Sequence, residues 1–268
     1  QQLKQFFLSG ANNLYNHYPE IDQLNVFPVP DGDTGMNMNL TLTSGAKEIQ
    51  NKNDESCSTI ASAFSKGLLM GARGNSGVIT SQIFRGVAEG MKDKDEVTSR
   101  ELSDAFVKGK EVAYKAVMRP VEGTILTVIR ESSSALHDQL KKDTSIEEAF
   151  EILLKEAKIS LAHTPDLLPI LKEVGVVDSG GAGLCVVLEG MLKAAQGQFV
   201  ERNENAPEES VSSILGNNGS QYAGAKLSED EEGYGYCTQF ILRLGKPEDG
   251  KKPFIEKRFQ NFLAAHGK

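Results

Sequence analysis

Leu102-Ser-Asp-Ala-Phe-Val-Lys-Gly-Lys-Glu-Val-Ala-Tyr-Lys-Ala-Val117 decides the fold class. Leu102, Ala105, Phe106, Ala113, Ala116 and Val117 recur at the three- and four-residue spacing that lines one face of an α-helix. Phe150, Leu153, Leu154, Ala157 and Leu161 repeat the pattern. Working outward, helices are predicted over residues 1–17, 35–50, 56–70, 76–91, 123–140 and 180–196. Glycine-rich turns separate them, and strand-like alternation is scarce. Helices in series with short loops pack against their neighbours, so residues 1–200 read as an all-α, antiparallel domain.

The whole chain has 268 residues, with 29 Lys and Arg against 37 Asp and Glu, a net charge of −8. That balance excludes a general nucleic-acid coat, which needs a basic surface. It is compatible with a metal–nucleotide ligand, because a cation can mediate between carboxylates and phosphates. Aromatic residues are only 7% and tryptophan is absent, so a base-stacking platform is unsupported. No run approaches the roughly 18 apolar residues of a membrane span. The start at Gln1 is amphipathic and unlike a signal peptide. Cys57, Cys185 and Cys237 are widely spaced and odd in number, so no disulfide framework is implied and a reducing cytoplasm is expected.

Past residue 200 the chain changes character. Residues 201–235 carry eight acids, two bases and few apolar side chains, which reads as a solvated linker, placed at 201–233. Tyr234–Leu244 alternates like a β-strand, Glu248-Asp249-Gly250 like a turn, and 252–265 like a helix. One strand and one helix are too little for a domain, so 234–268 is expected to be the first fragment of an α/β domain.

Four stretches could carry chemistry. In Asn25-Val-Phe-Pro-Val-Pro-Asp-Gly-Asp-Thr-Gly35, two prolines stiffen the approach to Asp31 and Asp33, which stand two residues apart. Carboxylates that close repel unless a cation sits between them, and hard oxygen ligands suit Mg²⁺. Gly35 opens the next helix, where N–H groups can face an anion. In Gly71-Ala-Arg-Gly-Asn-Ser-Gly77 the glycines permit close approach of a phosphate, Arg73 can neutralise charge, and Asn75 and Ser76 can donate. The bland alternatives are an Asx turn at Asp31 and a helix cap at Ser76. Pro120-Val-Glu-Gly-Thr124 and Asp178-Ser-Gly-Gly-Ala-Gly183 are two further small-residue helix starts. Four of them in one helical domain suggest a common end that holds one ligand.

The negative findings narrow the chemistry. His17, His137, His163 and His266 have no metal-ligand spacing. There is no Walker A ending and no Gly-x-Ser-x-Gly elbow. Cys57 and Cys185 read as core thiols.

NVFPVPDGDTGMNMNLTLTSG, SKGLLMGARGNSGVITSQIFRG, AVMRPVEGTILTV and LKEVGVVDSGGAGL, in that order, resemble the DhaL (DAK2-type) nucleotide-binding domain. They are most similar to the ATP-binding subunit of bacterial fatty acid kinase, the FakA/YloV family. The resemblance covers residues 1–197, and it implies an antiparallel eight-helix barrel with ATP at one end. It implies that Asp31 and Asp33 hold Mg²⁺, as two ions in the family's manner, bridging ATP phosphates. An upstream third Asp of the dihydroxyacetone-kinase branch has its nearest counterpart in Asn25, one residue out of register. Thr34, Gly35 and Asn37 adjoin the pair as cofactor-binding candidates. Asn75, Ser76 and Gly77 match the family's phosphate loop, Gly123 and Thr124 a further nucleotide contact, and Asp178, Ser179 and Gly180 the adenine-side loop. Arg73 is the candidate for charge stabilisation.

The resemblance further implies an acceptor: a fatty acid presented by a separate fatty-acid-binding protein of the FakB type, converted to an acyl phosphate. A fatty carboxylate is already ionised at neutral pH, which fits the lack of a candidate histidine base. Gly235-Tyr236-Cys237-Thr238 matches a middle-domain context whose partner histidines lie further downstream in the family. The full-length protein is expected to be a homodimer. This piece is expected to bind Mg-ATP but to transfer phosphate poorly. Two other readings stay open: a DhaL-like subunit of a dihydroxyacetone-type kinase, and a nucleotide-binding regulatory module without turnover.

Overall fold

The computed structural model describes residues 1–53, 56–203 and 254–266. The chain divides into two compact units, Gln1–Leu227 and Ser228–Lys268. The described residues of the first are all-helical: α1 (Gln2–Asp22), α2 (Thr34–Gln50), α3 (Cys57–Gly71), α4 (Gly74–Gly90), α5 (Ser99–Ala116), α6 (Ile125–Gln139), α7 (Ile146–Leu167), α8 (Pro169–Val174) and α9 (Ser179–Ala195). Those of the second form α10 (Glu256–His266), preceded by Phe254, whose ring packs on Phe259. The expected helix over 252–265 is thus present, while the expected strand Tyr234–Leu244, the thiol Cys237 and most of the expected linker lie outside the described residues.

The elements form where local chemistry starts and stops them. Thr98 and Glu101 make a reciprocal capping box at α5, and Ser145 and Glu148 make another at α7. Gly175, at φ 78°, ends α8 in the left-handed conformation that glycine adopts without a Cβ penalty. The expected α1 continues to Asp22, one turn beyond residue 17, and α8 is an added short helix between the last two long ones.

The long helices close into a ring. Each packs on its chain neighbour, α7 packs on α9, and α9 returns to α1. Contact pairs run in opposite directions: Ser9 Oγ donates to Gly190 O at 2.6 Å, and Asn13 Nδ2 to Val186 O at 2.7 Å. The two backbones meet through glycines, since a Cβ on Gly190 would lie 2.6 Å from Ser9 O and one on Gly10 2.9 Å from Val187 O. The space inside the ring is filled. Phe7 stacks on Phe64 with ring centroids 4.5 Å apart, and Phe84 meets both edge-on. Phe150 lies between Phe6 and Phe106. This is the antiparallel helical barrel, with its apolar stripes turned inward.

The chain after α9 folds back along α1. Val200 N donates to Ser9 Oγ at 3.0 Å, Asn12 Nδ2 to Val200 O at 2.9 Å, and Asn16 Nδ2 to Glu201 O at 3.0 Å. Arg202 donates to Thr43 Oγ1 at 2.8 Å and lies 3.8 Å from the ring centroid of Tyr15. Residues 201–203, expected as the start of a free linker, are therefore fastened to α1 by the Asn16 amide and to α2 by the Arg202 guanidinium, partners that the linker's composition does not reveal.

The α4–α5 contact gives a direct stability test. A Cβ on Gly86 would lie 2.4 Å from Lys108 O and 2.5 Å from Gly109 Cα, all of it backbone. Alanine gains about 1 kcal/mol of helix propensity, but overpacking against backbone costs about 1–3 kcal/mol. Gly86→Ala is therefore expected to lower the thermal unfolding midpoint. A raised midpoint would show that the two helices can separate freely.

Candidate functional site

Alternating helix direction places the starts of α2, α4, α6 and α9 at one end of the barrel. Hydrogen bonds tie all four starts together. Ser76 Oγ, in α4, donates to Thr34 O at 3.3 Å. Ser179 Oγ, in α9, donates to Thr34 Oγ1 at 3.2 Å. The Asp178 carboxylate accepts Gly181 N–H at 2.6 Å and also Ile125 N–H at the start of α6. The expected common end therefore exists, and it brings the 25–37, 73–77, 122–124 and 178–180 stretches together.

Asp31 and Asp33 stand exposed on the loop between α1 and α2. Burial, then the charge of Asp33, pushes the Asp31 carboxyl above its ordinary range. Asn25 is 7% exposed; its Nδ2 donates to Asp31 Oδ1 and to Val29 O, each at 2.8 Å. Its Oδ1 accepts the Thr34 hydroxyl and, at 3.5 Å, that of Ser179. Asn25, expected as a third metal ligand, here has its amide oxygen turned to two hydroxyls and its nitrogen to Asp31. Asp22 is a neighbour that sequence reasoning missed. Its Oδ1 accepts Met36 N–H at 3.0 Å, and Gly35 N–H also donates to its carboxylate. Burial raises its carboxyl, and the charges of Asp33 and Asp31 add to the shift.

Asp22 corrects one expectation. The N–H groups at the start of α2 do not face an open anion site, because the end of α1 caps them. The reason is the closeness of α1: a Cβ on Gly35 would lie 2.1 Å from Tyr18 O. Gly35 is a packing glycine.

The second stretch is also placed differently. Gly74 adopts φ 58° and packs on Asn37, where a Cβ would lie 2.4 Å from Nδ2. The turn from α3 is so tight that α4 begins at Gly74, with Arg73 at the cap position. Asn75, Ser76 and Gly77 therefore form the first helical turn, and Ser76 is not the cap. A Cβ on Gly77 would meet Thr41 Oγ1 at 2.3 Å. Arg73 is exposed, and its N–H donates to Thr41 Oγ1 at 3.2 Å. The Arg73 side chain makes no capping bond to α4. The positive dipole end of this helix start favours a phosphate.

The third and fourth stretches act largely as caps. Thr124 Oγ1 accepts Leu126 N–H at 3.4 Å and donates to Val121 O at 2.8 Å. Gly123, at φ 81°, donates its N–H to Thr127 Oγ1 at 2.8 Å. Asp178 and Ser179 are buried, and a Cβ on Gly180 would lie 3.3 Å from the side chain of Ile125. Burial pushes the Asp178 carboxyl up to about 6 against its two backbone donors.

The donor set fits a divalent cation in one way only. Among the described residues no group of three His, Cys, Asp or Glu side chains converges as a metal site. Asp31 and Asp33 repel each other and offer hard oxygens, so a cation between them must complete its shell with water or phosphate oxygens, as Mg²⁺ usually does. Cys185 is buried, with its thiol pushed up to about 12 by burial, and is inert.

The pattern of the DAK2 domain matches residues 28–193. An uncharacterized protein of Staphylococcus saprophyticus is 44% identical over 263 residues, covering 98% of this chain and 46% of that protein. Uncharacterized proteins of Staphylococcus epidermidis and Staphylococcus aureus are 46% and 45% identical over 260 residues, covering 97% of this chain and 46% of each protein. The chain thus spans about half the length of the curated relatives it matches. No helix among the described residues is long and apolar enough to cross a membrane.

The Asp178 cap gives a pH test. Its carboxyl titrates higher in the fold, at about 6, than the ordinary 3.8, so the folded state binds the extra proton between those values. Its contribution to stability therefore falls as pH rises from about 4 to about 6 and is level above. Measured by urea unfolding, the stability of the wild type relative to Asp178→Asn should fall across that window, and a difference independent of pH would contradict the assignment.

Proposed function

The chain belongs to the DAK2 domain family, whose members are DhaL-like nucleotide-binding modules, and from that premise we propose that its barrel end binds ATP for phosphoryl transfer. The observation that carries this reading is the convergence of four helix starts on one rim that also bears the exposed carboxylates of Asp31 and Asp33. An anion and a cation each find a partner there, and Mg-ATP supplies both.

The following roles go with this reading. Asp31 and Asp33 hold Mg²⁺, which when bound neutralises phosphate oxygens. The first turn of α4 receives the phosphates through backbone N–H groups, with the Asn75 and Ser76 side chains alongside. Arg73, exposed at the cap position, supplies positive charge toward the γ-phosphate. Gly123, Thr124 and Gly180 shape the rim, and Asp22, Asp178 and Ser179 hold it in place.

For the acceptor we propose a fatty carboxylate carried by a separate fatty-acid-binding protein. One carboxylate oxygen forms the new bond to Pγ, the bond from Pγ to the ADP oxygen breaks, and no proton needs removal. Among the described residues no histidine is placed as a base in the four stretches, which suits an acceptor that is already ionised. Dihydroxyacetone, a neutral hydroxyl acceptor, would need its proton taken up.

Two measurements test this reading. In calorimetric titration, Mg-ATP is expected to bind residues 1–268, and Asp31→Asn or Asp33→Asn to weaken it by about tenfold or more, the scale of a removed charge-assisted contact. Unchanged affinity in both variants would overturn the metal assignment. In a γ-phosphate transfer assay of the longer protein, label should enter a hydroxylamine-trapped acyl phosphate from carrier-bound oleate. Label in dihydroxyacetone phosphate instead would favour the other kinase reading, and binding without transfer to either would favour a regulatory module.

A further inference from the structure

We infer that Thr34, backed by Ser179, is a positioning residue that orients Asp31 through Asn25, an inference that rests on the proposed metal role of Asp31. Ser179 Oγ lies 3.2 Å from Thr34 Oγ1; the Thr34 hydroxyl meets Asn25 Oδ1; Asn25 Nδ2 lies 2.8 Å from Asp31 Oδ1. Asn25, Thr34 and Ser179 are all buried, while Asp31 at the end of the chain is exposed.

The chain has a direction, set by the number of protons available. An amide nitrogen donates twice and an amide oxygen only accepts. Asp31 Oδ1 and Val29 O are both acceptors, so the Asn25 nitrogen must face them and its oxygen must face the hydroxyls. Thr34 has one hydroxyl proton. Given to Asn25 Oδ1, it leaves the Thr34 oxygen to accept from Ser179. The donors therefore run from Ser179 through Thr34 and Asn25 to Asp31, with the second Asn25 proton on Val29 O.

The consequence falls on the metal pair. The Asn25 donor holds Asp31 Oδ1 at 2.8 Å. It also occupies one oxygen and fixes the carboxylate plane, leaving Oδ2 for a cation. Without the Thr34 hydroxyl, the Asn25 oxygen keeps only the longer contact from Ser179 at 3.5 Å. The amide is then held only by that contact and by its own bonds to Val29 O and Asp31 Oδ1, so its orientation is less firmly set. Thr34 is the first residue of α2 and Ser179 the first of α9. The orientation of a loop carboxylate is thus anchored in two helices of the barrel.

The test is Mn²⁺ binding in the presence of ADP, read by electron paramagnetic resonance, beside metal-free ADP affinity and thermal unfolding. Thr34→Val keeps the shape of the side chain and removes the hydroxyl. It should weaken Mn²⁺ binding by about tenfold, as loss of a partner behind a metal ligand does, and Thr34→Ser should restore it to within about threefold. The fall in Mn²⁺ affinity should exceed any fall in metal-free ADP affinity. Equal falls in both, or wild-type Mn²⁺ affinity in Thr34→Val, would overturn the inference. Should Thr34→Val not fold, Ser179→Ala decides, since unchanged Mn²⁺ affinity there would break the chain at its first link. Failure of the wild type itself to bind Mn²⁺ with ADP would instead remove the functional reading beneath it.

Discussion

The structure depends on how closely α1 can approach α9. Gly10 and Gly190 let the first and last long helices of the barrel meet backbone to backbone, and Ser9 and Asn13 fasten the contact with hydrogen bonds to Gly190 O and Val186 O. This contact closes the ring. A larger side chain at either glycine would meet backbone atoms and hold the helices apart. An open row would leave two apolar faces unpartnered, around the Phe7, Phe64 and Phe84 cluster. It would also separate the start of α9 from that of α2. The bond from Ser179 to Thr34, and with it the candidate site, exists because the ring is closed.

A closed ring of alternating helices gathers four positive dipole ends at one rim. The structure then treats them unequally. Asp22 covers the start of α2, Thr124 and Asp178 cover α6, and Asp178 covers α9, while the Arg73 side chain makes no capping bond at α4. Negative charge is used as structure at three starts. The pair Asp31 and Asp33 adds repulsion at the same rim. The rim is thus poised for an anion and a cation together, and the net charge of −8 is no obstacle to phosphate.

Much of this was legible in the sequence. Five of the six helix ranges read from the sequence lie within two residues of the observed bounds, and α1 runs five residues further, to Asp22. The small residues ahead of α2, α4, α6 and α9 marked the shared end. Three things were hidden, each set by tertiary approach. Asp22 lies nine residues before Asp31, across a loop whose path the sequence does not state, so its capping of α2 could not be read. Asn75 read as part of the turn and Ser76 as a possible cap, because glycines usually make a turn, but Gly74 at φ 58° completes it and leaves both helical. Asp178 could be read as a cap of its own helix, α9, but not as one of α6, because the start of α6 comes within its reach only in the closed ring. The family likeness was carried by the ordered motifs, and periodicity by itself would have stopped at an all-helical domain.

Paramagnetic broadening of backbone amide signals by Mn²⁺ with ADP tests the central claim, that the four helix starts form one site. Signals from Asp31–Asn37, Arg73–Gly77, Glu122–Thr124 and Asp178–Gly180 should broaden together. Those of Lys92–Thr98 and Lys141–Ser145, in the loops between the opposite helix ends, should stay sharp. Broadening centred on the opposite loops, or confined to one of the four stretches, would contradict the account.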